Sequence, residues 1–222
     1  MEILYENHAF LVCVKPPELV SEQTPDHTGF ADLVAEHTGT YVGVVHRLDR
    51  GVGGIMVYAK TKSAAAALSE SIRTQKFRKE YLAIVHGKPS PDAGELRDWL
   101  FHDRMQNKSF AVDRARKGAK EALLHYRTLA SHGEGTDEQT LLHIVLGTGR
   151  THQIRVQFAS RRHPLLGDRK YGSPLRCPIA LFAAQLSFPD PETNTLLHFS
   201  ALPQKSGAWE SFSDALSAED LF

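Results

Sequence analysis

Short apolar runs separated by polar turns recur along the chain and predict a protein built mainly from β-strands. The first two runs flank Glu6-Asn7-His8 and predict a hairpin that ends before Pro16. The later runs are rich in β-branched and aromatic residues, which favour extended backbone. They predict strands at residues 44–45, 55–59, 81–86, 141–146, 179–188 and 196–200.

Helical periodicity is limited to a few segments. Ala64, Leu68 and Ile72 share one face at helical spacing, which predicts a helix capped by Ser63. The polar stretch between residues 90 and 120 predicts only edge strands and loops. The remaining predictions are a helix at residues 28–39 capped by Thr28, edge strands at 108–113 and 121–129, a surface turn at 131–138, a helix at 150–160, an irregular loop at 162–176 and a helix at 208–217.

The irregular order of these elements predicts an α+β fold. Its core is expected to be a mixed, largely antiparallel central sheet with flanking helices. The chain has 222 residues, of which 41% are hydrophobic, and this is enough to bury a sizeable core. We therefore expect a single domain over residues 1–222.

Charge is sorted along the chain although its sum is zero. Residues 1–40 contain seven acids and one base, whereas residues 147–176 contain seven bases and one acid. Such sorting can give a neutral protein one basic face, as nucleic-acid-binding proteins have. The alternative, equally weighted on charge alone, is that these arginines pair with carboxylates inside the fold.

Several protein classes are excluded by simple features. No run of about 18 apolar residues occurs, and the N-terminus lacks the basic and apolar regions of a secretory signal. Cys13 lies in an apolar run and is expected in the core, with no disulfide to Cys177. The histidines show no H-E-x-x-H or paired Cys/His spacing, so we expect no metal site. These features predict a reduced, cytoplasmic protein without a membrane partner, and a monomer is the default.

A glycine-rich loop between two predicted core strands, residues 46–54, carries the most distinctive polar side chains. It holds Asp49 together with Arg47, Arg50 and three glycines. A short carboxylate on such a loop is held rigidly, while the glycines leave room for a large ligand. The simpler alternative is that Asp49 only forms a turn.

Two other segments carry groups that suit the same chemistry. If Arg155, near the start of a predicted helix, faces inward, its guanidinium can pair with Asp49 and keep that carboxylate ionised. An ionised, positioned carboxylate can act as a nucleophile at an electrophilic carbon. Tyr81 offers a flat face on which a base can stack, although a strand tyrosine is more often a core residue.

Four motifs occur in an order that resembles the RluA-type RNA pseudouridine synthases. Each motif is short, but the four together, at plausible spacing, are specific. The resemblance covers roughly residues 2–202 and begins with the first hairpin. The motifs are His46-Arg47-Leu48-Asp49, Lys79-Glu80-Tyr81-Leu82-Ala83, Gly149-Arg150-Thr151-His152-Gln153-Ile154-Arg155-Val156 and Gly167-Asp168-x-x-Tyr171-Gly172.

The resemblance implies an enzyme that flips a uridine out of tRNA or rRNA and isomerises it to pseudouridine, with no cofactor and no metal. Asp49 matches the family's nucleophile, and Tyr81 matches the tyrosine that stacks on the flipped base and is implicated in proton removal at C5. Arg155 matches the basic residue that pairs with the aspartate. Arg47 matches the arginine that fills the gap left by the extruded nucleotide. The domain would be catalytic, with no appended N-terminal RNA-binding domain.

Further candidates for RNA contact come from the same motifs and from the basic loop. For His46 and His152 a structural hydrogen-bonding role is the alternative, and for Tyr171 it is packing. Arg150 ranks below Arg155 because it can also contact backbone. The candidates are His46, Arg150, His152, Arg161, Arg162, Arg169, Lys170 and Tyr171.

The chain departs from the family pattern at two places. The usual Thr-Ser-Gly after the aspartate is Val52-Gly53-Gly54, which removes two hydroxyls, and the usual Lys-Pro-x-Gly is Lys15-Pro16-Pro17-Glu18. These departures leave a second function open, namely a catalytically weak or inactive RNA-binding protein on the same scaffold. Metal-dependent hydrolysis is a remote third.

Overall fold

The computed structural model describes residues 1–23 and 28–217, and the chain divides into two compact units. The first unit contains residues 1–80 and 182–203, and the second contains residues 81–181 and the chain from Gln204 onward. In chain order the described elements are β1 (Glu2–Glu6), β2 (Phe10–Lys15), α1 (Phe30–Thr38), β3 (Gly43–Val44), β4 (Gly53–Ala59), α2 (Lys62–Arg73), β5 (Arg78–His86), β6 (Ala93–Asp103), β7 (Lys108–Val112), β8 (Ala119–His132), β9 (Gln139–Leu146), α3 (Gln153–Ala159), β10 (Leu181–Pro189) and β11 (Leu196–Ser200).

The first unit is built around β4, all of whose residues are buried. β2 pairs antiparallel with β4 from Gly54 to Ala59, and β1 completes the predicted hairpin. On the other side, β3 pairs antiparallel with the end of β4, and β10 pairs parallel with its start through Gly53 and Gly54. β11 then pairs antiparallel with β10. The predicted strands at residues 55–59, 179–188 and 196–200 are confirmed, with boundary shifts of two residues or fewer.

The two helices of the first unit are where the pattern placed them, but their caps differ. The N–H of Gly29 donates to Asp32 Oδ2 at 2.7 Å, so Gly29 rather than Thr28 precedes α1. Thr61 Oγ1 accepts from the N–H of Ala64 at 3.1 Å, so Thr61 rather than Ser63 caps α2. Both predicted caps are wrong because several neighbouring residues can cap, and the backbone turn decides which one does.

The second unit is a sheet in the strand order β5-β9-β8-β6-β7, in which β9, β8, β6 and β7 are successive antiparallel neighbours. β6 lies in the polar stretch of residues 90–120, where no element was assigned before residue 108. It buries only Leu96 and Leu100, so its sequence lacks a strong apolar signal. Those two positions share one face at strand spacing, and Leu100 packs with Ala122 and Val156 of α3.

Two predicted helices are shorter than expected. α3 begins at Gln153 rather than at residue 150, because His152 has a left-handed backbone (φ 55°) that interrupts the helix. The predicted helix at 208–217 is two short 3₁₀ turns, Gly207–Phe212 and Ala215–Ser217. The predicted α+β class, with a mixed, largely antiparallel sheet and flanking helices, is confirmed.

Two further sequence expectations concern cysteine and membrane segments. Cys13 is fully buried in β2, and burial raises the pKa of its thiol to about 12. Cys13 and Cys177 are both free thiols. No helix in the described part of the chain combines the length and the apolar character needed to cross a membrane.

Candidate functional site

The backbone next to Asp49 is fixed by the segment that follows β2. Ser21 Oγ donates to the carbonyl of Leu48 at 2.8 Å and accepts from the N–H of Leu48 at 2.9 Å. The hydroxyl of Tyr58 donates to the carbonyl of Ser21 at 3.1 Å, which connects Ser21 to β4. The residue before Asp49 is therefore held at both of its backbone polar groups.

The turn after Asp49 closes tightly onto β4. The N–H of Val52 donates to the carbonyl of Asp49 at 3.0 Å. Gly54 has φ 129°, and a Cβ there would lie 2.4 Å from backbone atoms of Ala183, so only glycine fits. A Cβ at Gly53 would touch Pro17 Cδ at 3.3 Å and the Lys15 carbonyl at 3.4 Å. Val52 is itself buried. Where the family pattern has Thr and Ser, this chain therefore places a methyl group of Val52 and the bare backbone of Gly53 in a closely packed region.

His46 lies in the interior of the first unit. Its Nε2 accepts from the N–H of Val57 at 3.1 Å, and its ring packs against Phe77. Burial, and next to it the positive charge of Lys79, lower the pKa of His46 to about 3, so the ring is neutral with its proton on Nδ1. These contacts support the structural alternative for His46 rather than RNA contact.

Lys15 is a buried cation that sequence reasoning treated only as part of the first hairpin. Its side chain is fully buried, and Nζ donates to the carbonyls of Pro16 and Leu19 at 2.8 Å each and to Arg50 at 3.5 Å. Burial lowers its pKa to about 8, and the negative charge of Asp49 opposes that shift. Lys15 thus fixes the loop around Asp49 and contributes positive potential near it. The available signal was a lysine that ends an apolar strand just before two prolines.

Arg47 and Arg50 lie on the surface beside Asp49. Arg47 Nη1 donates to Glu22 Oε1 at 2.7 Å, and its side chain is 68% exposed. Arg50 Nε donates to the carbonyl of Glu18 at 3.1 Å. Both guanidinium groups are accessible to a polyanion, because exposed ion pairs exchange readily.

In the second unit, Tyr81 is buried within β5 at 7% exposure, and Arg155 is buried on α3 at 6% exposure. Arg155 faces inward, as the sequence analysis required. Its Nε and Nη2 donate to the two carboxylate oxygens of Asp168 at 2.7 and 2.9 Å. The predicted pairing of Arg155 with Asp49 stays a prediction, whereas the pairing with Asp168 was missed.

The start of α3 is held by Gln153, which is also buried. Its Oε1 accepts from the N–H of Arg150 at 3.0 Å and from the hydroxyl of Thr148 at 2.7 Å. Its Nε2 donates to the carbonyl of Leu123 on β8 at 3.0 Å. The helix that carries Arg155 is therefore anchored to the sheet at its first residue.

The aromatic side chains around Arg155 form a network. The hydroxyl of Tyr171 accepts from the N–H of Ser109 at 2.7 Å and lies 2.9 Å from His152 Nδ1. The Tyr171 ring centroid is 5.1 Å from the Arg155 guanidinium carbon and 5.4 Å from Lys108 Nζ. Burial raises the pKa of Tyr171, which keeps the phenol neutral. For His152 and Tyr171 these contacts support the hydrogen-bonding and packing alternatives.

The basic residues between 147 and 176 divide into two groups. Arg155 pairs with Asp168, and Arg161 pairs with Asp98 at 2.9 and 3.1 Å, as the pairing alternative expected. Arg150 Nε donates to the carbonyl of Glu121 at 2.8 Å, and Lys170 Nζ donates to that of Asn107 at 3.0 Å. In the described residues, five exposed or half-buried side chains of this segment have no carboxylate ion pair and can present positive charge: Arg150, Arg162, Arg169, Lys170 and Arg176.

The described residues contain no group of three or more His, Cys, Asp or Glu side chains arranged to hold a metal ion. Asp49, Lys15 and Arg47 belong to the first unit, and Tyr81, Arg155 and Asp168 belong to the second.

The chain is similar in sequence to several known proteins. The RNA pseudouridylate synthase family model matches residues 9–160. An uncharacterized RNA pseudouridine synthase of Aquifex aeolicus is 37% identical over 182 residues, covering 78% of this chain and 56% of the relative. Ribosomal large subunit pseudouridine synthase D of Vibrio parahaemolyticus is 34% identical over 224 residues, covering 90% of this chain and 66% of the relative. The chain thus spans between about half and two thirds of these curated relatives.

A solved structure supports the same assignment. Human RNA Pseudouridylate Synthase Domain Containing 4 superposes with a TM-score of 0.73 at 26% identity, covering 97% of this chain and 92% of the human chain. The matched region of the family model includes the Asp49, Tyr81 and Arg155 motifs. The chain belongs to the RNA pseudouridylate synthase family.

Proposed function

We propose that the protein is an RNA pseudouridine synthase that isomerises specific uridines in tRNA or ribosomal RNA, with Asp49 as the nucleophile. The observation that carries the proposal is the placement of Asp49 between backbone groups fixed by Ser21 and by the Val52 turn, within the family's own motif. The Vibrio relative is named for the large ribosomal subunit, so ribosomal RNA is the first substrate to test.

The reaction is an isomerisation whose atoms balance without a co-reactant. The bond from ribose C1′ to N1 of uracil breaks, a bond from C1′ to C5 forms, one proton leaves C5 and one binds N1. In our proposal Asp49 assists cleavage at the sugar as an ionised carboxylate. Tyr81 stacks on the uracil and takes part in removing the C5 proton. Arg155 supplies the positive charge that favours the carboxylate form of Asp49.

Access to the uridine requires base flipping, which costs a few kcal/mol of lost stacking and pairing. We propose that Arg47 offsets part of this cost by occupying the space that the nucleotide leaves, with its guanidinium on a neighbouring phosphate. Arg150, Arg162, Arg169 and Lys170 bind phosphates beside it. Phosphate contacts make the affinity salt-dependent, with a log–log slope of about −0.7 for each neutralised phosphate of a single strand.

The test is incubation of the full chain with bulk tRNA and rRNA from a strain that lacks the gene, followed by mapping of pseudouridine. New pseudouridine at discrete positions, absent with Asp49→Asn, is the expected result. Pseudouridine that still appears with Asp49→Asn at the wild-type rate would overturn the role of Asp49. Mapping the sites that are lost in the deletion strain identifies the natural uridine.

A second candidate is a non-catalytic RNA-binding protein on this scaffold. The observation that favours it is the absence of the two hydroxyls at Val52 and Gly53. Binding of RNA without any conversion of uridine, under conditions in which a known family enzyme is active, would select this candidate. Restoring Thr and Ser at positions 52 and 53 would then test whether the hydroxyls account for the missing activity.

A further inference from the structure

We propose that Asp168 is a positioning residue for the reaction, and that the turn of residues 167–173, here called the clamp turn, holds the guanidinium of Arg155 in place. The inference rests on the proposed function, because it assigns a purpose to the orientation of Arg155. Asp168 acts through Arg155, and Tyr171 of the same turn supplies the second support.

The ion pair fixes Arg155 in one plane. Asp168 is 1% exposed and Arg155 is 6% exposed, and their two parallel hydrogen bonds are 2.7 and 2.9 Å long. A bidentate pair of this kind sets both the distance and the rotation of the guanidinium, which a single bond does not. The pair uses Nε and Nη2, which lie on one edge of the guanidinium.

Tyr171 gives the guanidinium of Arg155 a second contact. Its ring centroid is 5.1 Å from the guanidinium carbon of Arg155, within the range of a cation–π contact. The ring is itself fixed, because the Tyr171 hydroxyl accepts from the N–H of Ser109 and contacts His152 Nδ1. Ser109 Oγ in turn donates to the carbonyl of Thr151 at 2.6 Å, which connects β7 to the segment before α3.

The clamp turn is held by hydrogen bonds of its own, independently of Arg155. The carbonyl of Asp168 accepts from the N–H groups of Tyr171 and Ser173, both at 3.0 Å, and the N–H of Asp168 donates to Leu165. Ser173 Oγ accepts from the N–H of Gly167 at 3.0 Å. Gly167 has φ 75°, and a Cβ there would lie 2.3 Å from the carbonyl oxygen of Pro178. The backbone that carries Asp168 therefore has few other conformations available to it.

Stability alone is a weak reason to bury such a pair. Desolvating a carboxylate and a guanidinium costs about as much as their attraction returns, and apolar replacements are often as stable. Holding a functional cation within a fraction of an ångström is a better reason, since misplacement of a catalytic group by about 1 Å can cost roughly 100-fold in rate. The clamp turn fits that requirement, because it contacts the guanidinium through both the Asp168 carboxylate and the Tyr171 ring.

The test combines Asp168→Asn with Arg155→Lys in a double-mutant cycle, measured by single-turnover conversion of a wild-type substrate RNA. We expect Asp168→Asn to lower the rate of conversion about 10- to 100-fold while the Kd for RNA changes less than about threefold. Asp168→Glu should restore part of the rate. In the Arg155→Lys background, Asp168→Asn should add little, because its effect passes through Arg155.

The control is Asp98→Asn, which removes the other bidentate carboxylate–arginine pair of the second unit, with Arg161. Its rate of conversion should stay within about twofold of wild type. Unfolding temperatures are measured for all variants. If Asp168→Asn does not fold, Tyr171→Leu and Tyr171→Phe take its place, and Leu, which loses the ring, should lower the rate more than Phe does.

The outcomes separate the two proposals. If the wild-type protein converts uridine and a folded Asp168→Asn protein is equally fast, the positioning role of Asp168 is overturned and the proposed function stands. Effects of Asp168→Asn and Arg155→Lys that simply add would also overturn that role, since Asp168 would then act elsewhere. A folded wild-type protein that converts no uridine would overturn the proposed function and the clamp's catalytic purpose with it.

Discussion

The loop around Asp49 and the helix around Arg155 hold their key side chains in different ways. Around Asp49 the contacts reach the backbone, through Ser21 on Leu48 and through the turn that Val52 closes. Around Arg155 the contacts reach the end of the side chain, through Asp168 and the ring of Tyr171. One region fixes a main chain, and the other fixes a guanidinium.

The difference follows from side-chain length. An aspartate has two rotatable side-chain bonds, so a fixed backbone almost determines where the carboxylate lies. An arginine has four and carries about 2 kcal/mol of rotamer entropy, so a fixed helix leaves its guanidinium undetermined. A rigid loop therefore restricts the Asp49 carboxylate to a small region, whereas the guanidinium of Arg155 needs partners at its far end. Each prediction below tests one side of this contrast.

The largest expected effect is the loss of turnover in the Asp49→Asn variant. The amide keeps the shape of the carboxylate but is not a nucleophile, and the backbone anchors are unchanged. We expect the rate of conversion to fall by about 10³-fold or more, roughly 4 kcal/mol of barrier, with little change in RNA affinity. Single-turnover conversion and equilibrium binding on the same RNA measure the two quantities. A near wild-type rate would remove Asp49 from the mechanism.

The next effect concerns the glycines that close each region. Gly54→Ala and Gly167→Ala each place a Cβ within 2.4 Å of backbone atoms at a positive φ, so each should lower the free energy of unfolding by more than about 3 kcal/mol. Gly39→Ala is the matched control, because Gly39 also has a positive φ but open space around its Cα, and it should cost only about 1 kcal/mol. Urea unfolding compares the three. Equal costs would show that backbone angle, not close approach, sets the effect.

A smaller effect concerns pH and the buried ring of His46. Its pKa is about 3 in the folded protein and about 6.5 in an unfolded chain, so between these values only the unfolded state takes up the proton. Falling pH therefore removes stability, by about 2 kcal/mol between pH 7.5 and pH 5. His46→Gln, whose amide oxygen can still accept from Val57, should lack this component.

Urea unfolding at several pH values, as the difference between wild type and variant, isolates the His46 component from the titration of other groups. His125→Gln, at an exposed position of the second unit, is the control for loss of a histidine. A wild-type and a His46→Gln protein with the same pH dependence would contradict the buried, neutral ring.

The smallest effect is expected at the exposed edge of the Asp49 loop. Arg47→Gln should change the free energy of unfolding by less than about 0.5 kcal/mol, because its ion pair with Glu22 is exposed. It should weaken RNA binding a few-fold and reduce the salt slope by about 0.7. Arg73→Gln, another exposed arginine paired with a glutamate, is the control and should leave the slope unchanged. An unchanged slope for Arg47→Gln would place Arg47 away from phosphate.

Much of the fold could be predicted because its signals are local. The core strands have continuous or alternating apolar residues, and the runs at residues 81–86 and 141–146 fall inside β5 and β9. β6 was missed because it buries so little of its length, and its neighbours in the sheet decide its conformation. The last predicted helix became two 3₁₀ turns for a similar reason, since an amphipathic pattern over ten residues does not choose between helix types.

The motifs themselves could be read along the chain, and so could the candidates Asp49, Tyr81 and Arg155. The contacts that hold them could not. Lys15 looks like an ordinary strand-end lysine, yet its ammonium is enclosed by three carbonyls. Asp168 was recognised as part of the fourth motif and as the single acid of a basic segment, but its pairing with Arg155 was not predicted.

The sequence by itself determined where apolar and polar residues alternate along a strand, where the glycines lie and which segments carry the polar side chains. These features depend on near neighbours in the chain. Only the tertiary structure decided that His46 is buried and neutral, that Lys15 is enclosed by carbonyl groups, and that Asp168 pairs with Arg155 on α3. Those outcomes depend on which side chains meet across strands and turns, and on how much water reaches them. Neither quantity is a property of a residue's neighbours in sequence.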